Sequence, residues 1–213
     1  MIEYAIFVQA RLGSTRFPCK VLQTLAGKRV LDHVIDACQG TGLSTFLLVP
    51  TSDEETFKCS FDVKVHGGSE QDVLSRFVSC ARTNDVSNIV RITSDCPCLP
   101  SSHITEIVEY HKKVGGFVTN VAYEDSYQSL TSIPDGFDIE VFTRDLLEET
   151  DRATSSLKDR EHVTAWMRRE KKVNIPKVCL SIMGKFSLDS QEDLERLERN
   201  FDLLRQTKTQ IIG

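Results

Sequence analysis

Three cations crowd one short segment near the start of the chain. Arg11, Arg16 and Lys20 are interleaved with Gly13, Ser14 and Thr15. Glycine lets a backbone come close to an anion, hydroxyls and amides donate to it, and arginine grips a phosphate through two parallel bonds. The segment follows the continuous apolar run Tyr4-Ala-Ile-Phe-Val8. It is therefore predicted to lie at the carboxyl end of a buried strand, where open α/β sheets place their ligands. The pattern is neither a P-loop nor a GxGxxG turn, and a plain basic surface loop is the competing reading.

Acids recur at strand ends. Asp95 follows Asn88-Ile-Val-Arg-Ile-Thr93, with Pro97 ending strand pairing just beyond, and Asp189 follows Phe186-Ser-Leu188. Two such carboxylates are suited to one Mg²⁺, which takes oxygen ligands and typically uses one or two carboxylates plus substrate phosphates. Asp189-Ser-Gln-Glu192 reads equally well as a helix cap with an acidic first turn. Asp138 and Glu140 are two residues apart in a predicted strand, so they share a face. Carboxylates in such apolar surroundings need partners or a ligand, unless that face is simply exposed. Asp159-Arg-Glu-His162 is predicted to open a helix with Asp159 as its N-cap, a solvated first turn being the simplest account of it. Arg91 is either a nucleotide contact or an ion-pair partner.

The elements that must position these groups alternate. Strands are predicted at Tyr4–Val8, Thr45–Val49, Asp62–Val65 and Asn88–Thr93. Helices are predicted on Val30–Cys38, on Val73–Ala81 with Ser69 as N-cap, and on Ile104–His111. This βαβ alternation is the signature of a parallel sheet covered by helices. Beyond Phe117–Val121 an irregular stretch at 122–135 precedes a strand at Phe137–Phe142. Helices at 144–154 and 160–170, short strands at Cys179–Ile182 and Lys185–Leu188, and a last amphipathic helix carrying Leu194, Leu197, Phe201 and Leu204 complete the reading.

Ala10-Arg-Leu-Gly-Ser-Thr-Arg-Phe-Pro-Cys-Lys20 resembles the N-terminal signature of the cytidylyltransferases that activate acidic sugars, the acylneuraminate and 3-deoxy-manno-octulosonate enzymes. It is most similar to the branch named after a spore-coat polysaccharide biosynthesis protein. Gly68–Phe77, Val90–Pro97, Pro134–Phe142, Asp159–Thr164 and Leu188–Leu194 resemble that branch in the same order. The branch usually has Gly where this chain has Cys19.

The resemblance implies a three-layer α/β/α sandwich around a mixed, mostly parallel sheet of the nucleotide-diphospho-sugar transferase type. It implies transfer of CMP from CTP to an acidic sugar, or a related acceptor, with Mg²⁺ as cofactor and pyrophosphate released. Arg11 and Lys20 would be catalytic, holding the triphosphate. Ala10, Gly13, Ser14, Arg16, Asp72, Arg91 and Asp95 would complete the nucleotide site. Asp95 and Asp189 would bind the metal. Asp138, Glu140, Arg160 and His162 would face the acceptor. A homodimer is implied, with 122–135 a candidate for crossing between subunits. Guanylyl or uridylyl transfer on the same fold, or an inactive nucleotide-binding module, are the competing functions.

Composition sets the outer limits. The chain has 213 residues, 40% of them hydrophobic, and a net charge of −5. One nucleotidyltransferase domain over 1–213 is expected, with a small lobe at about 122–175. The acidic balance argues against a nucleic-acid partner. No run approaches the ~20 apolar residues of a membrane span. Seven cysteines without a CxxC pair are expected to be apolar fillers in a reducing cytoplasm.

Overall fold

The computed structural model describes residues 1–14, 16–121, 133–176, 178–179, 184–205 and 210–211. In chain order the strands are β1 Ile2–Gln9, β2 Thr24–Leu25, β3 Lys28–Arg29, β4 Ser44–Pro50, β5 Lys64–Gly68, β6 Val86–Thr93, β7 Phe117–Thr119, β8 Glu140–Thr143, β9 Val173–Asn174, β10 Val178–Cys179 and β11 Gln210–Ile211. The helices are α1 Val30–Gln39, α2 Glu54–Ser60, α3 Val73–Thr83, α4 Ser101–Val114, α5 Arg144–Ala153, α6 Leu157–His162, α7 Ala165–Glu170 and α8 Gln191–Arg205.

Seven strands form one sheet in the order β5-β4-β1-β6-β8-β7-β9. The β5, β4, β1 and β6 neighbours are parallel, and β8 runs antiparallel between β6 and β7. Alternation sends Ile6, Val8, Leu47, Val49, Val90 and Ile92 to one face, where α1, α4 and α8 cover them. It sends Ala5, Phe7, Phe46, Leu48 and Ile89 to the other, against α3, α5 and α7. The expected three-layer, mostly parallel sandwich is therefore what forms. Strands buried on both faces explain the uninterrupted apolar runs. The carboxyl ends of β1, β4, β5 and β6 all point to one rim, and the basic loop lies on it.

Several predicted elements differ. The third strand is Lys64–Gly68, because pairing of Leu47 with Val65 fixes its register. Residues 137–139 precede the β8 ladder. There Asn120 stands in for a strand neighbour: its Nδ2 donates to the Phe137 carbonyl at 2.7 Å, and the Ile139 amide donates to its Oδ1 at 2.8 Å. The α3 cap is Asp72, which accepts from the Ser75 amide at 2.9 Å, whereas Ser69 accepts from the Asp72 amide one step earlier. The helix predicted at 160–170 is two helices broken at Val163, whose φ of 58° ends the first. Asp159 lies inside α6, where it accepts from Thr154 Oγ1 at 2.8 Å and from Arg169. Residues 185–188 make a single bridge, Lys185 to Asp135. The predicted subunit crossing at 122–135 falls mostly outside the described residues, as do 180–182 of another predicted strand.

Candidate active site

The basic loop leaves β1 at Gln9 and is pinned at its base. The Leu12 amide donates to Asp53 Oδ2 at 2.9 Å, and the Cys19 amide to the Leu12 carbonyl at 3.1 Å. Cys19 sits at φ 54°, a left-handed conformation in which glycine is at ease. That is a physical reason for the Gly expected at this position. From here a 3-10 turn, Lys20–Leu22, aims the Lys20 side chain inward. Its ammonium donates to Asp95 Oδ2 at 2.7 Å, to the Leu188 carbonyl at 2.8 Å and to Asp189 Oδ1 at 3.4 Å. Two aspartates 94 positions apart in sequence thus meet on one nitrogen. The backbone enforces this: the Leu188 amide donates to the Asp95 carbonyl at 2.9 Å.

The helix cap that competed for Asp189 is supplied by its neighbours. Ser190 Oγ accepts from the Asp193 amide while Asp193 Oδ2 accepts from the Ser190 amide, a reciprocal capping box. Asp189 is left to face the cleft. Burial works to raise its carboxyl, but Lys185, Lys20 and Arg16 together outweigh that and hold it below the usual range. Arg16 reaches Asp189 Oδ1 at 3.0 Å from an exposed position.

Ala10, Arg11, Ser14, Arg16, Lys20, Asp95 and Asp189 line one cleft of about 400 Å³. Gly13 lies in the same loop, facing Glu70. Asp95 and Asp189 are oxygen donors, each about one quarter exposed, and the fold already sets a positive charge between them. They fit a hard divalent cation. Among the described residues no group of three or more His, Cys, Asp or Glu gathers to hold a metal. An ion at these aspartates would complete its shell with phosphate oxygens and water.

A second cavity of about 670 Å³ adjoins the first, and His162 lines both. Its wall is mostly cationic, with Arg91, Lys158, Arg168 and Arg169 beside Asp159, which pairs with Arg169 at 3.0 Å. Glu140 sits behind the wall, 1% exposed, ion-paired to both Arg91 and Arg168 and accepting from Thr164 Oγ1 at 3.0 Å. Burial would raise the Glu140 carboxyl, but the two guanidinium groups outweigh it and hold it low. Arg91 also donates from Nε to Gln9 Oε1 at 3.1 Å.

Other expected site residues have different surroundings. Asp72 and Arg160 line neither cavity. They pair with each other at 2.8 Å, and Arg160 also holds Asp151 at 2.8 Å, tying α6 to α3 and α5. Glu140 reaches the second cavity only through its arginines. Asp138 lies near Asp95 and Asp135. Burial first, then repulsion from Asp135, Glu140 and Asp95, pushes its carboxyl up to about 7. Lys158, Arg168 and Arg169 were not singled out in the sequence. The signal available there was a basic run on a short helix, which also describes a solvated face.

The sequence matches the cytidylyltransferase family over residues 5–210. It is similar to the spore coat polysaccharide biosynthesis protein SpsF of Bacillus subtilis, 28% identical over 218 residues that cover 93% of this chain and 86% of that protein. Among solved structures, a cytidylyltransferase from Leptospira borgpetersenii superposes with a TM-score of 0.82 at 24% identity, covering 97% of this chain and 91% of that one. A CMP:2-keto-3-deoxy-manno-octonic acid synthetase complexed with CTP superposes with a TM-score of 0.65 at 15% identity, covering 94% and 99%.

Proposed function

Because the chain belongs to the cytidylyltransferase family, we propose that it transfers CMP from CTP to an acidic sugar or related acceptor. The reaction uses Mg²⁺, releases pyrophosphate and serves surface polysaccharide or glycan synthesis in the cytoplasm. One observation carries this reading: Lys20, Asp95 and Asp189 converge at the floor of a cleft whose rim bears Arg11 and Arg16.

Asp95 and Asp189 would hold the metal. When bound, Mg²⁺ supplies charge neutralisation to the phosphate oxygens. Lys20, already within reach of both carboxylates, would turn toward the substrate's phosphates, and Arg11 and Arg16 would hold the leaving pyrophosphate. The acceptor hydroxyl gives up its proton to water, and its oxygen bonds the α-phosphorus. The bond to the bridging oxygen breaks, and pyrophosphate leaves with both bonding electrons. Holding donor and acceptor in line is the main task of such a site.

The acceptor's acidity is supported by the cationic second cavity, open beside the first at His162. The polysaccharide role rests on the name of the Bacillus relative. A cytoplasmic setting is supported by the six cysteines that are free among the described residues. The same reading has the chain act as a homodimer. Mass spectrometry of products from CTP, Mg²⁺ and a mixed pool of sugar acids tests the function. A CMP-linked sugar acid with equimolar pyrophosphate is expected. Equal or better turnover with GTP or UTP, or no product from any pair, would contradict it.

A further inference from the structure

Among the described residues His162 alone lines both cavities. It is the last residue of α6, and the chain leaves it by an unusual route. Val163 is β-branched and fully buried, yet it holds φ 58° and ψ −55°. Such a backbone costs about 1–3 kcal/mol and persists only where its surroundings enforce it. Two bonds do so here. The Thr164 amide donates to the His162 carbonyl at 2.6 Å, and Thr164 Oγ1 donates to the buried Glu140 at 3.0 Å. Strain of this kind clusters at functional sites, and here it fixes the backbone beside the junction. The His162 side chain itself is exposed.

With the triphosphate in the first cavity and the acceptor in the second, the new bond forms where the cavities meet. The acceptor hydroxyl must lose a proton there, and few groups can take it. The cations of the basic loop, Arg76 on α3, Arg91 on β6, Lys158 on α6, and Arg168 and Arg169 on α7 already carry theirs. Asp95 and Asp189 are engaged by Lys20, and Asp159 by Arg169. Glu161 lines the first cavity only, and Asp138 lines neither. Imidazoles titrate between about pH 5 and 8, so they take and release protons near neutrality.

We propose that His162 is the general base of the transfer. An unprotonated ring nitrogen takes up, through one water, the proton that the acceptor hydroxyl gives up as its oxygen bonds the α-phosphorus. The imidazolium then returns that proton to solvent, to which its ring is open. The proposal rests on the CMP-transfer reading above and adds the group that accepts the proton.

Single-turnover rates of CMP transfer test it, with enzyme in excess over CTP, Mg²⁺ present and a saturating pool of sugar acids. They are measured from about pH 5 to 9, across the range of imidazole titration, on the wild type, His162→Gln and His162→Asn. The wild-type rate is expected to fall toward low pH within that range. Both variants should be slower by about 10²-fold or more and should lack this acidic limb. Their melting temperatures and their affinities for CTP with Mg²⁺ should match the wild type, because the side chain is exposed and bonds the acceptor's proton only. A variant with the wild-type rate overturns the proposal, as does a slower one that keeps the wild-type limb. So does a loss of rate matched in both variants by a fall in melting temperature or in CTP affinity. A wild type that forms no CMP-linked product overturns the transfer reading itself.

Discussion

Lys20 bridges two carboxylates that would otherwise repel, and the same ammonium is the group best placed to meet a phosphate. Lys20→Ala is expected to lower kcat by about 10²-fold or more. Its unfolding free energy should change by no more than about 1 kcal/mol, because Asp95 and Asp189 remain partly solvated. Rate and urea-unfolding measurements on the same preparation separate the two effects. Glu140 behaves oppositely. Its removal takes the shared carboxylate from two guanidinium groups, Arg91 and Arg168, so Glu140→Ala is expected to cost about 3–5 kcal/mol in urea unfolding. Asp138 has a pH signature. Its folded carboxyl titrates near 7 and its unfolded one near the ordinary value of 3.8, so the folded state binds the extra proton between them. The stability this gives is present below about pH 4 and lost as pH rises through 7. In chelator-containing buffer, Asp138→Asn should melt higher than the wild type at pH 8 and equally at pH 4; equal melting at both would remove Asp138 from the pH response.

At the level of elements, the site depends on crossings more than on strands. Gly136 has a φ of 98°, and a Cβ there would overlap the backbone of Phe186 and Ser187. Gly136→Ala is expected to destabilise by more than about 2 kcal/mol in urea unfolding. It should also lower activity, because the 186–188 segment carries Asp189 to Asp95. The buried strands β1, β4 and β6 were legible because both faces are covered and apolar runs follow. The basic loop was legible because its position after β1 and its composition agree. The break at Val163 was not, since a β-branched residue gives no warning of positive φ. The capping duties of Asp72 and Ser190 could not be ranked against Ser69 and Asp189, because each neighbour has the same local chemistry.

At the scale of the whole molecule, one rim of a mostly parallel sheet gathers a cationic loop from the amino end, an aspartate from the middle and another from near the carboxyl end. Two adjoining cavities share His162 there, one lined by the cationic loop and the two aspartates and one by further arginines. Among the described residues no helix is long and apolar enough to cross a membrane. The central claim is that Asp95 and Asp189 together hold a metal-bound triphosphate. Calorimetric titration of CTP, with and without Mg²⁺, into the wild type and Asp189→Ala tests it most directly. The wild type is expected to bind CTP at least about 10-fold tighter with Mg²⁺, and the variant to show no such gain. A variant that keeps the full Mg²⁺ enhancement would contradict the account.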